Sequence, residues 1–201
     1  MRVAFGVKAH SGWAALVAVA EHDATLEIAE RRRLELVAAG DADWAKQPYH
    51  AAEGLDAADA EDVVARAVAS AYAHAEQALA TALAARRAAG DEVVGCGVLI
   101  GAGMPAWSVA EILAVHMRMH KAEGELFRSA LAAAAPRIGL ALSEVREKGL
   151  EAEAEAALAL ATPALRRCLA EAGRRAGPPW ARDQKDAALA AWIALRRARS
   201  G

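Results

Sequence analysis

The chain has 201 residues, 56% hydrophobic and 25% charged, a balance that supports a buried core and excludes global disorder. Its formal net charge of −2 excludes a uniformly basic nucleic-acid binder. No apolar run approaches the roughly 20 residues needed to span a bilayer, so no membrane partner is expected.

The first elements are strands. Residues 2–9 and 13–21 are apolar runs around His10-Ser11-Gly12, the pattern of a hairpin. Arg2, Lys8 and the run ending Ala18-Val19-Ala20 imitate a secretory leader, but His10-Ser11-Gly12 interrupts the apolar stretch. After a turn at His22-Asp23-Ala24, Leu26, Ile28, Leu34 and Leu36 alternate with Glu27, Glu35 and arginines. That predicts a third strand with one wet face, interrupted near Arg31–Arg33, which completes an antiparallel meander.

Residues 38–62 are polar, acidic and turn-rich, and read as a loop. Asp56 is placed to cap a helix running to about Ala89, with Val64, Val68, Ala71, Tyr72, Ala75, Leu79, Ala82 and Leu83 on one face. Gly90 ends it. Residues 91–103 form an apolar strand; reached through a crossover helix, it should run parallel to the first strand and be buried on both faces. Ser108 and Glu111 make a capping box for a second long helix reaching about Ala135, ended by Pro136 and Gly139. Residues 139–147 follow as a fifth strand. Helical sequence resumes after Gly149, with Pro163 as a break, and after Pro178-Pro179 a final helix covers 181–198. The order β-β-β-α-β-α-β-α-α predicts one α/β domain over residues 1–201, a five-stranded mixed sheet flanked by helices.

Three stretches carry a resemblance. Gly6-Val7-Lys8 through Gly12-Trp13-Ala14 is similar to a Gly-Ile-Asp strand followed by a Gly-Trp turn. The Ser108–Ala135 segment occupies the place of a long central helix after a buried fourth strand. Asp183-Gln184-Lys185-Asp186-Ala187-Ala188-Leu189 is similar to an Asp-x-x-Asp-Ala-Leu helix opening. Together they resemble the ribonuclease H-like fold, and within it the Holliday-junction resolvase branch. In that branch, carboxylates from the first strand, the fourth strand and the last helix hold two divalent ions, as hard cations require oxygen ligands.

Here Asp183 and Asp186 match the last-helix pair, but Lys8 stands at the first-strand aspartate and no acid lies between Glu92 and Glu111. The resemblance therefore implies a degenerate catalytic position made of Lys8, Asp183 and Asp186, with Lys8 ion-paired to either aspartate and no resident metal. Asp183 and Asp186 also suit an ordinary helix start.

From Arg166 onward nine basic residues face three acids, a local net charge of +6. Arg174, Arg175, Arg182, Arg196 and Arg197 are candidate phosphate contacts, or simply a solvated helix face. Three functions remain open. The first is non-catalytic binding of nucleic acid or a protein partner through this basic end. The second is a magnesium-dependent nuclease whose acids come from elsewhere, such as Glu21, Glu35 or Asp41. The third is a structural or regulatory oligomer, with a homodimer the expected assembly. A cytoplasmic location is expected, since Cys96 and Cys168 read as free thiols.

Other groupings carry weaker chemistry. His116, His120 and Glu123 share one helix face, where imidazole and carboxylate suit a transition metal or an ordinary hydrogen-bonded cluster. Gly95, Gly97, Gly101 and Gly103 fit no phosphate-loop spacing and point instead to close helix–strand packing. The segment Trp44–His50 concentrates Trp44, Pro48, Tyr49 and His50 in a chain only 4% aromatic. It either lines a site or plugs a core edge.

Overall fold

Alternating side chains on strands dictate which groups meet which layer. The computed structural model describes residues 1–22 and 25–200, so the Asp23-Ala24 part of the expected turn lies outside the described residues. Five strands, β1 Arg2–His10, β2 Trp13–His22, β3 Thr25–Glu35, β4 Glu92–Ile100 and β5 Leu142–Arg146, form a single mixed sheet in the order β3-β2-β1-β4-β5. β1 is central, antiparallel to β2 and parallel to β4; β4 and β5 are also parallel. The mixed sheet and its flanking helices are those of the predicted α/β class.

β3 is continuous where an interruption was expected. Arg31, Arg32 and Arg33 pair in register with Val17, Leu16 and Ala15 of β2, and the irregularity is a bulge at Ala29, between the Ala18↔Glu30 and Val19↔Ile28 pairs. The arginines are tolerated because each is engaged. Arg31 donates to the carbonyls of Ala176, Gly177 and Pro179, Arg32 pairs with Glu30, and Arg33 pairs with Glu35 and covers the Trp13 ring.

The segment expected as a loop contains two one-turn helices, α1 Ala42–Ala45 and α2 Pro48–Ala51, the second begun by a proline whose fixed φ suits a first helical position. Asp56 caps α3 Ala57–Ala88, its side chain accepting from the Asp59 amide at 3.0 Å. The Ser108–Glu111 capping box is present, but the helix it opens is short. α4 covers Val109–Leu113, Val115 is extended at φ −141° and ψ 111°, and α5 runs His116–Arg137. Arg118 reaches back to the Glu111 carbonyl at 2.8 Å, supplying a donor at the place where the helix stops. The expected single helix is therefore two, and Pro136 lies inside the last turn of α5. Further on, α6 Leu150–Leu158 ends at Ala159, in the left-handed region at φ 53°, and Pro163 sits at the start of α7 Thr162–Ala176.

Two apolar layers sandwich the sheet. Val3, Phe5 and Val7 of β1 face α3 and α5, against Leu79, Leu83, Phe127 and Leu131. The alternate residues of β1 face α8 Arg182–Ser200, which lies across β1, β2 and β4. Gly6 and Gly97 let this helix approach: a Cβ on Gly6 would stand 1.9 Å from the Ala187 carbonyl oxygen, and one on Gly97 2.2 Å from that of Ala190. Cys96 is buried in the same sheet, its thiol pushed up to about 12 by burial; Cys168 is half-buried, and both are free.

Trp192, fully buried on α8, has an indole N–H without a hydrogen-bond partner among the described residues. Trp192→Ala is expected to lower unfolding free energy in urea by about 3–5 kcal/mol through the cavity it leaves. Trp192→Phe, which also removes the unpaired donor, should cost markedly less. Equal losses for the two would show that ring volume does not hold α8 down.

Candidate functional site

Period two along β1 places Lys8 on the same face as Ala4 and Gly6, beneath the first turn of α8. Helical spacing then puts Asp183, Asp186, Ala187, Ala190 and Ala191 along the face of α8 that meets the sheet. Lys8 Nζ donates to Asp186 Oδ2 at 2.6 Å and lies 3.5 Å from Asp183 Oδ1. The structure thus brings together Lys8, Asp183 and Asp186, the three residues that the resemblance had singled out.

It adds a residue that sequence reasoning missed. Glu147 follows β5 directly, its amide bonded to the Ile100 carbonyl at 3.0 Å, and its Oε1 lies 3.1 Å from Lys8 Nζ. β4 carries no acid near the site, as expected, but its neighbour β5 delivers one from the same sheet edge. The one available signal was a glutamate at the carboxyl end of the expected fifth strand; the structure makes that strand parallel to β4, so that side chains from several strand ends converge there.

The cluster is electrically closed. Arg128 on α5 reaches Glu147 Oε2 at 3.1 Å and Arg182 reaches Asp186 Oδ2 at 3.6 Å, so three carboxylates face three cations. His10, stacked on Trp13 at 4.2 Å, lies 3.1 Å from Asp183 Oδ2. Burial opposes the charge on Lys8, but its hydrogen bonds to Asp186 and Glu147 outweigh that and hold its ammonium above the ordinary lysine value. Burial likewise pushes Glu147 upward, and the hydrogen bond and charge of Lys8, aided by Arg128 and Arg182, outweigh it and hold this carboxyl below the ordinary range.

This donor set does not fit a pair of divalent ions. The Lys8 ammonium, with its side chain only 9% exposed, stands within 3.5 Å of an oxygen from each carboxylate. A second cation there would meet direct repulsion and would have to displace it. Nor do the alternative acids join the cluster: Glu21 pairs with Arg196 and Arg199, Glu35 with Arg33, and Asp41 accepts from the Trp44 indole.

The five candidate arginines are not brought together. Arg182 is 83% exposed at the mouth of the cluster, whereas Arg196 lies about 21 Å further along the helix. Arg175 donates to the Leu26 carbonyl, Arg196 to Glu21, and Arg197 to Glu153 and the Glu144 carbonyl. Arg174 is exposed, with only a 4.0 Å approach to Glu171.

Two grooves flank the cluster and share Glu147 and Arg182. One, about 610 Å³, also contains Arg166 and Lys185; the other, about 710 Å³, contains Arg146 and Lys148.

His116 and His120 meet at 3.1 Å between their Nε2 atoms, but Glu123 turns away from them to His50 Nδ1, at 2.8 and 2.9 Å from its two oxygens. The Trp44–His50 segment therefore divides. Trp44 packs at the core edge beneath Arg66, Tyr49 is half-buried and its phenol is pushed upward by burial and by the charge of Glu123, and His50 joins the histidines.

The strand order, the parallel β1–β4 pair, the covering helix α8 and a polar site at one sheet edge define a ribonuclease H-like fold. Among solved structures it is similar to that of Thermus thermophilus RuvC, with a TM-score of 0.51 and 13% identity over 99% of this chain and 96% of that one. T. thermophilus RuvC in complex with Holliday junction substrate gives 0.49 and 12% identity, covering 100% and 97%. No protein-family model and no curated protein matches the chain. No helix among the described residues is long and apolar enough to cross a membrane.

Proposed function

We propose that this chain is a non-cleaving protein of the ribonuclease H-like fold that binds nucleic-acid phosphates along the rim of a closed carboxylate cluster. The observation that carries the reading is Lys8 Nζ at 2.6, 3.1 and 3.5 Å from Asp186, Glu147 and Asp183. An ammonium held there supplies the positive charge that the carboxylates require, so the fold keeps its shape without the ions that phosphodiester hydrolysis would use. Binding is assigned to the cations of the two flanking grooves, above all Arg182, which borders both, with Lys185 on one side and Arg146 and Lys148 on the other. Arg174 can extend that contact. Arg175, Arg196 and Arg197 serve chiefly to fasten α7 and α8 to the sheet.

The test pairs binding with cleavage. Fluorescence anisotropy with duplex, junction and single-stranded DNA should show affinity that falls steeply with salt. Arg182→Ala and Lys185→Ala should each weaken it and reduce the salt slope by about 0.9 per lost duplex phosphate contact. Neither magnesium nor manganese should elicit cleavage of any substrate. Robust cleavage lost in Asp183→Ala would replace this reading with that of a nuclease, and absence of DNA binding at low salt would leave a structural role.

A further inference from the structure

Three histidines converge beside a buried carboxylate that takes no part in the Lys8 cluster. His116 and His120 stand one turn apart at the start of α5, and His50 arrives from α2, its ring centroid 5.2 Å from that of His116 and 4.7 Å from that of His120. One ring nitrogen from each lies within 4.8 Å of the others. We propose that His50, His116 and His120 bind a single divalent transition ion of the zinc class, with Glu123 as the positioning residue behind His50.

Geometry supports this first. Tetrahedral coordination at about 2.0–2.1 Å per nitrogen places ligand atoms about 3.3 Å apart, and the His116 and His120 Nε2 atoms are already at 3.1 Å. Imidazole nitrogens suit zinc and its neighbours, whereas the oxygen-rich Lys8 cluster is already filled by an ammonium.

Glu123 supplies an independent argument. Only 2% exposed, it binds the His50 ring at Nδ1 through both oxygens and also accepts from the His50 amide at 3.2 Å. A carboxylate on Nδ1 fixes the proton there, leaves the Nε2 lone pair for an ion, and makes the imidazole a stronger donor. No lysine or arginine forms an ion pair with Glu123 among the described residues; its ion-pair partner is the His50 ring, so an ion on that ring's other nitrogen would add positive charge beside this buried carboxylate. His116 and His120 are exposed, giving an ion a route from solvent. Three protein ligands leave a fourth position for water or an added ligand. The ion would also fasten the segment around α2 to α5, where Tyr49 already packs.

The test uses the full chain, freed of metal with a chelator. Calorimetric titration with zinc should show one equivalent bound at micromolar affinity or tighter, and cobalt should give the visible bands of a tetrahedral site, abolished by zinc. Glu123→Gln should weaken zinc binding about 10–100-fold. His116→Ala and His120→Ala should weaken it further while leaving the melting temperature of the metal-free protein unchanged, because both side chains are exposed. These two variants decide the matter should Glu123→Gln fail to fold. The proposal is overturned if neither heat nor cobalt bands develop at millimolar metal, or if the double variant His116→Ala/His120→Ala binds zinc as the wild type does.

Discussion

Lys8→Met lowers the stability of the fold at neutral pH by about 3 kcal/mol, the scale expected when one partner of a buried ion pair is removed and the other is left uncompensated. Methionine keeps most of the side-chain volume, so the loss is electrostatic: Glu147, Asp183 and Asp186 then converge without the central ammonium, with Arg128 and Arg182 at the edge and His10 beside Asp183.

The pH dependence identifies the cause. In the wild type Glu147 is held below its ordinary value of 4.5, so its contribution is present above that value and is lost as pH falls through its folded value. Lys8 is held above 10.5; its contribution is present below that value and is lost as pH rises through its folded value. The pair therefore stabilises fully between about 4.5 and 10.5. In Lys8→Met the burial that pushes Glu147 upward is no longer opposed by Lys8, so the gap between wild type and variant should narrow as pH falls from 7 through 4.5 towards 3. Urea unfolding across that range measures it. A gap that stays constant would mean that Lys8 acts through packing alone.

Much of the sheet was legible because its signals are local. The apolar runs of β1 and β2, the Asp56 cap and the Ser108 capping box each act within a few residues, and each lies where the pattern placed it. The break at Val115 was not legible: Ala114 and Val115 contain neither glycine nor proline, and what ends α4 there includes an Arg118 side chain reaching backward. Likewise the arginines of β3 looked like an interruption because the carbonyls that hold Arg31 lie about 145 residues away in sequence.

The same distinction governs the two polar sites. Lys8 and Asp186, 178 residues apart, were joined only through a resemblance of motifs, and Glu147 escaped because no local pattern states that β5 lies beside β4. The histidines on α5 and the His50 segment were each conspicuous alone. Their convergence depends on α2 packing against α5, which no spacing encodes.

The seating of α8 gives the second large expected effect. Gly6→Ala should lower stability by about 4 kcal/mol or more, a large part of the 5–15 kcal/mol available to a domain, and Gly97→Ala should behave similarly. The added methyl on Gly6 would lie 1.9 Å from the Ala187 carbonyl oxygen and 2.5 Å from the Ala191 amide nitrogen, and that on Gly97 2.2 Å from the Ala190 oxygen. These are backbone atoms of a helix, so no rotamer change relieves the overlap; α8 must lift from the sheet as a body. Lifting it exposes part of the layer around Trp192 and draws Asp183 and Asp186 away from Lys8. A single methyl group should therefore damage the core and the charge cluster together. In partly folded variants the acid dependence attributed to the Lys8 pair should be reduced as well. Gly40→Ala is the control, since nothing lies within 4 Å of its Cβ position, and it should remain within about 0.5 kcal/mol of wild type. Urea unfolding of the three variants tests the argument. A Gly6→Ala protein as stable as Gly40→Ala would show that α8 does not rest on β1 at this residue.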